Sequence, residues 1–241
     1  MQAVILAAGM ANRLKPLTDH TPKCLLSVGK KTILDYTLEN LKENGIHDLV
    51  VVTGFEKEKI MTHIIKNHSD LKTEFIENKD YASTNNAYSL LLAEKALTGD
   101  FILLDSDIIF HPGIIQILLD CPQKPVLAVN RHECGEEEIK VLLGNENKIL
   151  EISKTVEPKK AWGESIGIEV FSDSSRKVLF QTLKKRIINE KRVNEYYEAS
   201  FEEMIQNGSD FYAEDASTFP AMEIDFAEDL ERARKLIQTI Y

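Results

Sequence analysis

Arg13, Lys15 and Lys23 follow directly on the apolar run AVILAAG, inside one stretch, ILAAGMANRLKPLTDHTPKCLL (residues 5–26), that also carries Pro16 and Pro22. A guanidinium is a planar donor fork suited to phosphate, and successive backbone N–H groups on a tight loop form an anion-binding concavity. Gly9 reads as the residue that permits backbone angles denied to others and lets a ligand approach the main chain. Pro22 restricts the backbone just before Lys23 and helps to aim it. The two familiar phosphate patterns, GxxxxGK[ST] and GxGxxG, are missing, so neither a P-loop nor a dinucleotide turn is expected. The plain alternative is a surface turn with solvated cations.

A second set of groups could hold a metal. In FILLDSDIIF, Asp105 and Asp107 stand two apart at the end of an apolar run; on one strand they would face the same way. Paired carboxylates suit a hard cation such as Mg²⁺, although an Asp there can equally cap the next turn. In YASTNNAYSL, Asn85, Asn86 and Tyr88 open a helix whose free N–H groups suit a base or ribose, the alternative being simple N-capping by Thr84 or Asn85. Trp162 beside Glu164, and Tyr196, Tyr197 and Glu198 in NEYYEASF, combine aromatic faces with carboxylates, as proteins do to hold quaternary ammonium groups. Helical spacing assigns Tyr197, Phe201 and Met204 to a core. His63 and His68 are five apart and would leave a helix on different faces, as surface histidines rather than a metal pair. Cys24, Cys121 and Cys134 form no CxxC pair and read as free thiols of a reducing, cytoplasmic compartment.

These side chains need a scaffold. Apolar runs at 3–7, 49–53, 101–105 and 126–130 read as buried parallel strands, with helical patterns at 32–44, 56–67, 85–97 and 111–120 between them. Strand-like EIKVLLG, KILEISK and ESIGIEVF follow, then helices over 173–190 and 194–207, strands near 211–214 and 221–225, and a last helix over 226–239. The pattern predicts an α/β fold with a mainly parallel central sheet, helices on both faces and a small mixed β/α lobe. We read one domain, with residues 1–130 and 215–241 as core and 131–214 as lobe. With 241 residues and a net charge of −10 the chain shows no basic stripe for nucleic acid, no membrane span, and a first strand rather than a signal peptide at its start.

LAAGMANRLKPLTDHTPKCLL resembles the signature of the nucleotidyltransferases that make NDP-sugars and CDP-alcohols, roughly LAAGxGxRLxPLTxxxPKxL. The resemblance implies a Rossmann-like fold and a loop over residues Leu6, Ala7, Ala8, Gly9, Met10, Ala11, Asn12 and Arg13 that wraps a nucleoside triphosphate, with Lys23 on its phosphates. Ala11 departs from the pattern, standing where the family has its second glycine. Asp107 and Asp225 match the family's Mg²⁺ ligands, the alternative for Asp225 being a helix cap. YASTNNAYSL resembles the phosphocholine cytidylyltransferases and their relatives acting on inositol phosphate and aminoethylphosphonate. That implies a CTP site with Tyr81, Thr84, Asn85, Asn86, Ser89 and Asp105. ISKTVEPKKAWGESIGIEVFS looks like the family's acceptor-binding strand pair, with Lys154 on the acceptor phosphate and Trp162, Glu164, Tyr196 and Glu198 around the rest. Arg13, Lys23 and Lys154 would carry the catalysis. The implied activity is transfer of CMP from CTP to a small phosphorylated alcohol or phosphonate by a monomer or homodimer with no nucleic-acid or membrane partner. A sugar-1-phosphate nucleotidyltransferase using UTP, dTTP or GTP, and a non-catalytic nucleotide-sensing or regulatory homologue, are the rival expectations.

Overall fold

The alternation of apolar runs with amphipathic segments produces the expected α/β architecture. The computed structural model describes residues 1–240. Strand β1 (Gln2–Ala7) leads into the cationic loop and a small antiparallel pair, β2 (Ser27–Val28) and β3 (Lys31–Thr32). Helix α1 (Ile33–Glu43) follows, then β4 (Asp48–Thr53), α2 (Lys57–Asn67), β5 (Lys72–Glu77), α3 (Asn86–Leu92) and β6 (Phe101–Asp105). A two-residue turn separates β6 from β7 (Ile108–Phe110), and α4 (Gly113–Asp120) leads to β8 (Val126–Asn130). The second half contributes β9 (Lys140–Leu143), β10 (Ile149–Ser153), β11 (Gly163–Phe171), α5 (Asp173–Lys184), α6 (Glu198–Gln206), β12 (Tyr212–Asp215), β13 (Ala221–Glu223) and α7 (Ala227–Ile240).

Nine strands form one sheet, in the order β10-β9-β11-β6-β1-β4-β5, with β8 paired to β11 and β12. The pairs β6–β1, β1–β4 and β4–β5 are parallel, whereas β11 runs antiparallel to β6, β8 and β9. After β1 the chain winds outward through β4 and β5, then returns to the other side of β1 as β6. The strand order therefore reverses between β1 and β6, and ligands of such sheets bind at the carboxyl ends flanking that point.

Side chains alternate between the two faces of the sheet, and both faces are buried. Ala3 and Ile5 join one core with α1 and α4; Val4 and Leu6 join the other with α3, α5 and α6. A third, smaller core gathers Leu14, Leu26, Val28, Ile33, Ile109, Ile224 and Leu230 beneath the cationic loop. Each fully buried leucine there contributes roughly 1.5–3 kcal/mol. Leu14 and Leu26 therefore anchor the loop that carries Arg13, Lys15 and Lys23.

Helix α1 begins with a capping box, Thr32 Oγ1 accepting from Asp35 N and Asp35 returning a carboxylate to Thr32 N. The helical run expected over 85–97 is α only to Leu92 and tightens into a 3₁₀ turn over Ala93–Ala96. The run expected over 173–190 ends α5 at Lys184 and continues as a single π turn, Lys185–Asn189. Among the described residues no helix is long and apolar enough to cross a membrane. Cys24, Cys121 and Cys134 are free thiols, all buried.

Candidate active site

The loop after β1 is a pair of one-turn 3₁₀ segments, Asn12–Leu14 and Lys23–Leu25, held down by alternate buried residues. Pro22, Cys24 and Leu26 point inward, so Lys23 is turned toward the carboxyl ends of β1 and β6. Side chains of Leu6, Ala7 and Ala8 lie in the core, so only their backbone could meet a ligand. Two expectations for the loop exchange places. Gly9 has ordinary negative φ, and a Cβ built there would meet nothing within 4 Å, so glycine leaves space rather than enabling a special angle. The left-handed residue is Ala11, at φ 47° and ψ 52°. The loop thus keeps a glycine-like bend at the position where the family glycine is replaced. Thr18, fully buried, donates from Oγ1 to Ala11 O at 2.9 Å and holds the bend.

Lys23 Nζ donates to Asp107 Oδ2 at 2.7 Å and to Asp225 Oδ1 at 2.8 Å, and Arg13 pairs with Asp225 Oδ2 at 2.7 Å. The structure brings together Arg13, Lys23, Asp107 and Asp225, which lie up to 212 positions apart in sequence (225 − 13). The Lys23 side chain is 12% exposed, so its pairs are weakly screened; that of Arg13 is 61% exposed, which makes its pair worth about 0–1 kcal/mol. Burial works against the Lys23 ammonium, but Asp107 and Asp225 outweigh it and hold its pKa above the ordinary value. Burial and the Asp107 charge push the Cys24 thiol up to about 12.

The route of Asp225 into the cluster is a short antiparallel pair. Strand β13 lies on β7 with Glu223 opposite Ile108, and Ile224 N donates to Asp107 O at 3.0 Å. Asp225 does not cap α7. Instead Asp229 reaches back and accepts from Asp225 N and Phe226 N, fixing the backbone that presents the carboxylate.

The expectation that Asp105 and Asp107 share a strand face is overturned. Strand β6 ends at Asp105, so Asp107 sits in the following turn and the two-residue periodicity does not reach it. Asp105 is not a turn cap either; it turns beneath the site and accepts from Tyr197 Oη at 2.9 Å. A Cβ at Gly167, at φ 72°, would lie 2.7 Å from Asp105 Oδ2, so glycine makes room for this carboxylate.

Glu223 was not foreseen. Its carboxylate joins Asp107 and Asp225, with oxygen atoms of all three within 4.8 Å. Surrounding protein mass and the two neighbouring charges push its pKa up to about 8. Three carboxylates fit a hard dication, and one observation tests that fit: Asp107 Oδ1 is buried with no hydrogen-bond partner.

At α3 most polar side chains are committed within the protein. Asn85 Oδ1 caps Asn86 N at 2.8 Å, Asn86 Oδ1 accepts from Tyr197 N at 3.0 Å, and Thr84 Oγ1 donates to Asp80 O at 2.9 Å. Ser89, expected to face a nucleotide, is buried and accepts from Asn78 Nδ2 at 3.0 Å; its place one turn into α3 turns it toward the core. Tyr81 lies on Gly54 beside Ala8, where a Gly54 Cβ would be 2.8 Å from Tyr81 Cβ and 2.7 Å from Ala8 O.

The five acceptor-side residues divide into two groups. Lys154, Tyr196 and Glu198 line a cavity of about 750 Å³ with Ser153 and Asn194, and Lys154 Nζ stands 5.2 Å from the Tyr196 ring centre and 3.3 Å from Glu137. Trp162 and Glu164 lie elsewhere. Trp162 lines a smaller cavity of about 400 Å³ under the Arg131 guanidinium, 5.1 Å away, and Glu164 pairs with His132 at 2.9 Å. Pairing of β11 with both β8 and β9 sends Glu164 to the Asp225 side, a register invisible in one strand's sequence. Tyr197 is fully buried, as its spacing requires, and its hydroxyl also reaches Glu169 at 3.5 Å. Burial, reinforced by neighbouring acids, raises the pKa of Asp105 and Glu169, and burial pushes Glu198 up to about 7.

Cations on the loop after the first strand, facing carboxylates from two remote segments across the point of strand reversal, are a constellation for nucleotide phosphates. Known proteins resemble the chain accordingly. A choline-phosphate cytidylyltransferase from Streptococcus pneumoniae is 27% identical over 238 residues, 99% of each chain. A CMP-5'-(3-aminopropyl)phosphonate synthase from Streptomyces rubellomurinus is 32% identical over 131 residues, 54% of this chain and 21% of that protein. Among solved structures, CTP:phosphocholine cytidylyltransferase from Streptococcus pneumoniae superposes with a TM-score of 0.80 at 25% identity, covering 98% of both chains. The inositol-1-phosphate CTP transferase from T. maritima shares the fold, with a TM-score of 0.84 at 21% identity over 99% of this chain and 95% of that one. The family model described as nucleotidyl transferase matches residues 2–126, more than half of the sequence, and with it the chain belongs to the nucleotidyl transferase family and is a nucleotidyltransferase.

Proposed function

We propose that the protein is a Mg²⁺-dependent cytidylyltransferase that joins CMP from CTP to a small phosphorylated alcohol or phosphonate of the phosphocholine kind and releases pyrophosphate. The observation that carries the transfer chemistry is the contact of Lys23 with both Asp107 and Asp225. Support for CTP and this acceptor class comes from likeness over 99% of both chains to a choline-phosphate cytidylyltransferase. In this reading residues 1–130 and 215–241 take the nucleotide and residues 131–214 take the acceptor, in a cytoplasmic monomer or homodimer.

An acceptor phosphate oxygen attacks the α-phosphorus of CTP in line; the new P–O bond forms as the bond to the β-phosphate oxygen breaks, and pyrophosphate carries the electrons away. A phosphomonoester with its second pKa near 6 is largely dianionic at neutral pH, by analogy with phosphorylated side chains, so no strong base is required. The protein's task is positioning and charge compensation. Asp107 and Asp225, with Glu223 beside them, would hold Mg²⁺, whose contribution when bound is to neutralise phosphate charge. Lys23 and Arg13, released from the carboxylates, offset charge on the triphosphate and the departing pyrophosphate. Lys154 orients the acceptor phosphate, while Tyr196 and Glu198 supply an aromatic face and a carboxylate for its cationic end.

The test is pyrophosphate release from CTP, UTP, dTTP and GTP crossed with phosphocholine, phosphoethanolamine, aminoethylphosphonate, inositol phosphate and glucose 1-phosphate. Fastest release with CTP and a cationic acceptor is expected. Fastest release with glucose 1-phosphate and UTP, dTTP or GTP would replace this reading with a sugar nucleotidyltransferase.

A further inference from the structure

Away from these carboxylates, a second cluster is built from different donors. His63 Nε2 and His68 Nε2 approach the same oxygen, Asp35 Oδ1, at 2.6 and 2.7 Å. The helical argument that separates the two histidines fails because α2 ends at Asn67. His68 is its C-cap, with φ −135° and ψ 43°, and this non-helical turn folds the ring back beside His63. Asp35 cannot swing away, since its other oxygen accepts from Thr32 N at 2.8 Å in the capping box. His68 is buried and its Nδ1 has no partner, so Nε2 is the ring's single outlet and it points at Asp35. His63 Nδ1 lies 3.2 Å from Asn67 Nδ2, which donates to it here; with the Asn67 amide turned end for end its oxygen would accept from an Nδ1–H and orient the ring, and Thr32 Oγ1 is 3.5 Å from His63 Nε2.

We propose that Asp35, His63 and His68 form a second cation site that takes a first-row transition dication, zinc above all, and ties the N-terminus of α1 to α2. Two imidazoles and a carboxylate are the donors zinc prefers, three protein ligands leaving a fourth position for water or the Thr32 hydroxyl. Magnesium, which takes oxygen ligands, belongs with the all-carboxylate cluster of Asp107, Glu223 and Asp225 instead. The three donor atoms already lie within 4.8 Å of one another. A tetrahedral zinc with bonds near 2.1 Å spaces its ligands about 3.4 Å apart, so each ring needs to draw back from Asp35 Oδ1 by about 0.7–0.8 Å. His63 is the more exposed of the two rings and has room for its share of that movement, while His68 must draw back through the non-helical turn that ends α2. On binding, each neutral ring presents its Nε2 lone pair to the metal and carries its proton on Nδ1.

The experiment uses the full chain, stripped with chelator and then held in excess Mg²⁺ to occupy the all-carboxylate site. Addition of ZnCl₂ to about a hundredfold over Kd is expected to raise Tm by about 5–10 °C. CoCl₂ is expected to give the visible absorption of a four-coordinate nitrogen–oxygen site at one equivalent. Both signals are expected to vanish in His63→Ala and to persist in Asp107→Ala. Absence of the zinc shift or of the cobalt band in the unaltered protein, signals that survive His63→Ala, or signals lost in Asp107→Ala would each overturn the proposal. The cobalt band is read on the unaltered chain and so does not depend on any variant folding.

Discussion

Around Lys23 cations and carboxylates meet at close range: one ammonium and one guanidinium face Asp107 and Asp225 at 2.7–2.8 Å, with Glu223 beside them. Around Tyr197, a few residues away through Asp105, the acids Asp105, Glu169 and Glu198 are gathered with one phenol hydroxyl and no cation in hydrogen-bond contact. The first region is poised for exchange, because an arriving polyanion can take the cations and an arriving dication the carboxylates. The second is poised for neutrality, because burial raises the pKa of every acid in it. Ion-pair exchange makes the first region sensitive to salt and metal, with Glu223 an acid raised in pKa there, whereas all three acids of the second respond to pH.

The largest expected effect breaks the first region. Asp107→Ala should lower kcat/KM for pyrophosphate release by about 10³-fold or more, in line with removal of a preorganised charge from a transition state. Circular dichroism should show the fold intact, since Asp107 lies in a turn. Release at the unaltered rate would remove this carboxylate from the chemistry.

Glu198→Gln sharpens the contrast. Glu198 titrates at about 7 in the fold against an ordinary glutamate value near 4.3. Its raised pKa contributes stability that is fully present below the unfolded pKa and lost as pH rises through about 7. The amide carries no such loss. The variant should therefore gain on the parent between about pH 4.5 and 7 and be more stable by about 3 kcal/mol at pH 8, measured by urea unfolding. Parallel stability curves for the two proteins would show that Glu198 does not titrate there.

Lys154→Ala addresses the cavity side. Loss of a charge-assisted hydrogen bond of about 1.5–3 kcal/mol should raise KM for the acceptor by about 10- to 100-fold and leave KM for CTP unchanged. A rise in the KM for CTP instead would move Lys154 to the nucleotide.

What the sequence disclosed follows the same division. The parallel strands were legible because both faces of β1, β4 and β6 are buried and each run is continuously apolar. The edge strand β5 was not, because Phe75 and Ile76 are only partly buried and its other residues are polar. Arg13, Lys23 and Asp107 stand in short motifs beside strand ends, so their types and neighbours announced them. Glu223 reached the cluster only through the pairing of β13 with β7, and Glu164 left the Tyr196 side only through the pairing of β11. Register between remote strands has no local signature. The shared face of Asp105 and Asp107 and the separation of His63 from His68 failed for a related reason: periodic reasoning was carried past the residue where the strand or helix stops.

The smallest effects concern two neighbouring residues of the loop. Gly9→Ala adds a methyl that meets no protein atom within 4 Å at an ordinary φ. Stability should stay within about 0.5 kcal/mol, while KM for the nucleotide rises at least about fivefold, the space being the ligand's. Ala11→Gly runs the other way. A left-handed alanine costs about 1–2 kcal/mol, and glycine removes that strain but adds about 0.5–1 kcal/mol of unfolded-state entropy. The Ala11 methyl also packs against the Leu14 cluster, and its loss forfeits part of about 0.8 kcal/mol. These terms nearly cancel, so thermal unfolding should place the variant within about 1 kcal/mol of the parent. Because the methyl packs on that cluster, KM for CTP should change by less than about twofold, well under 1.4 kcal/mol. A tenfold fall in that KM would mean that alanine narrows the triphosphate's approach, and the loop would then differ from its relatives in function and not only in strain.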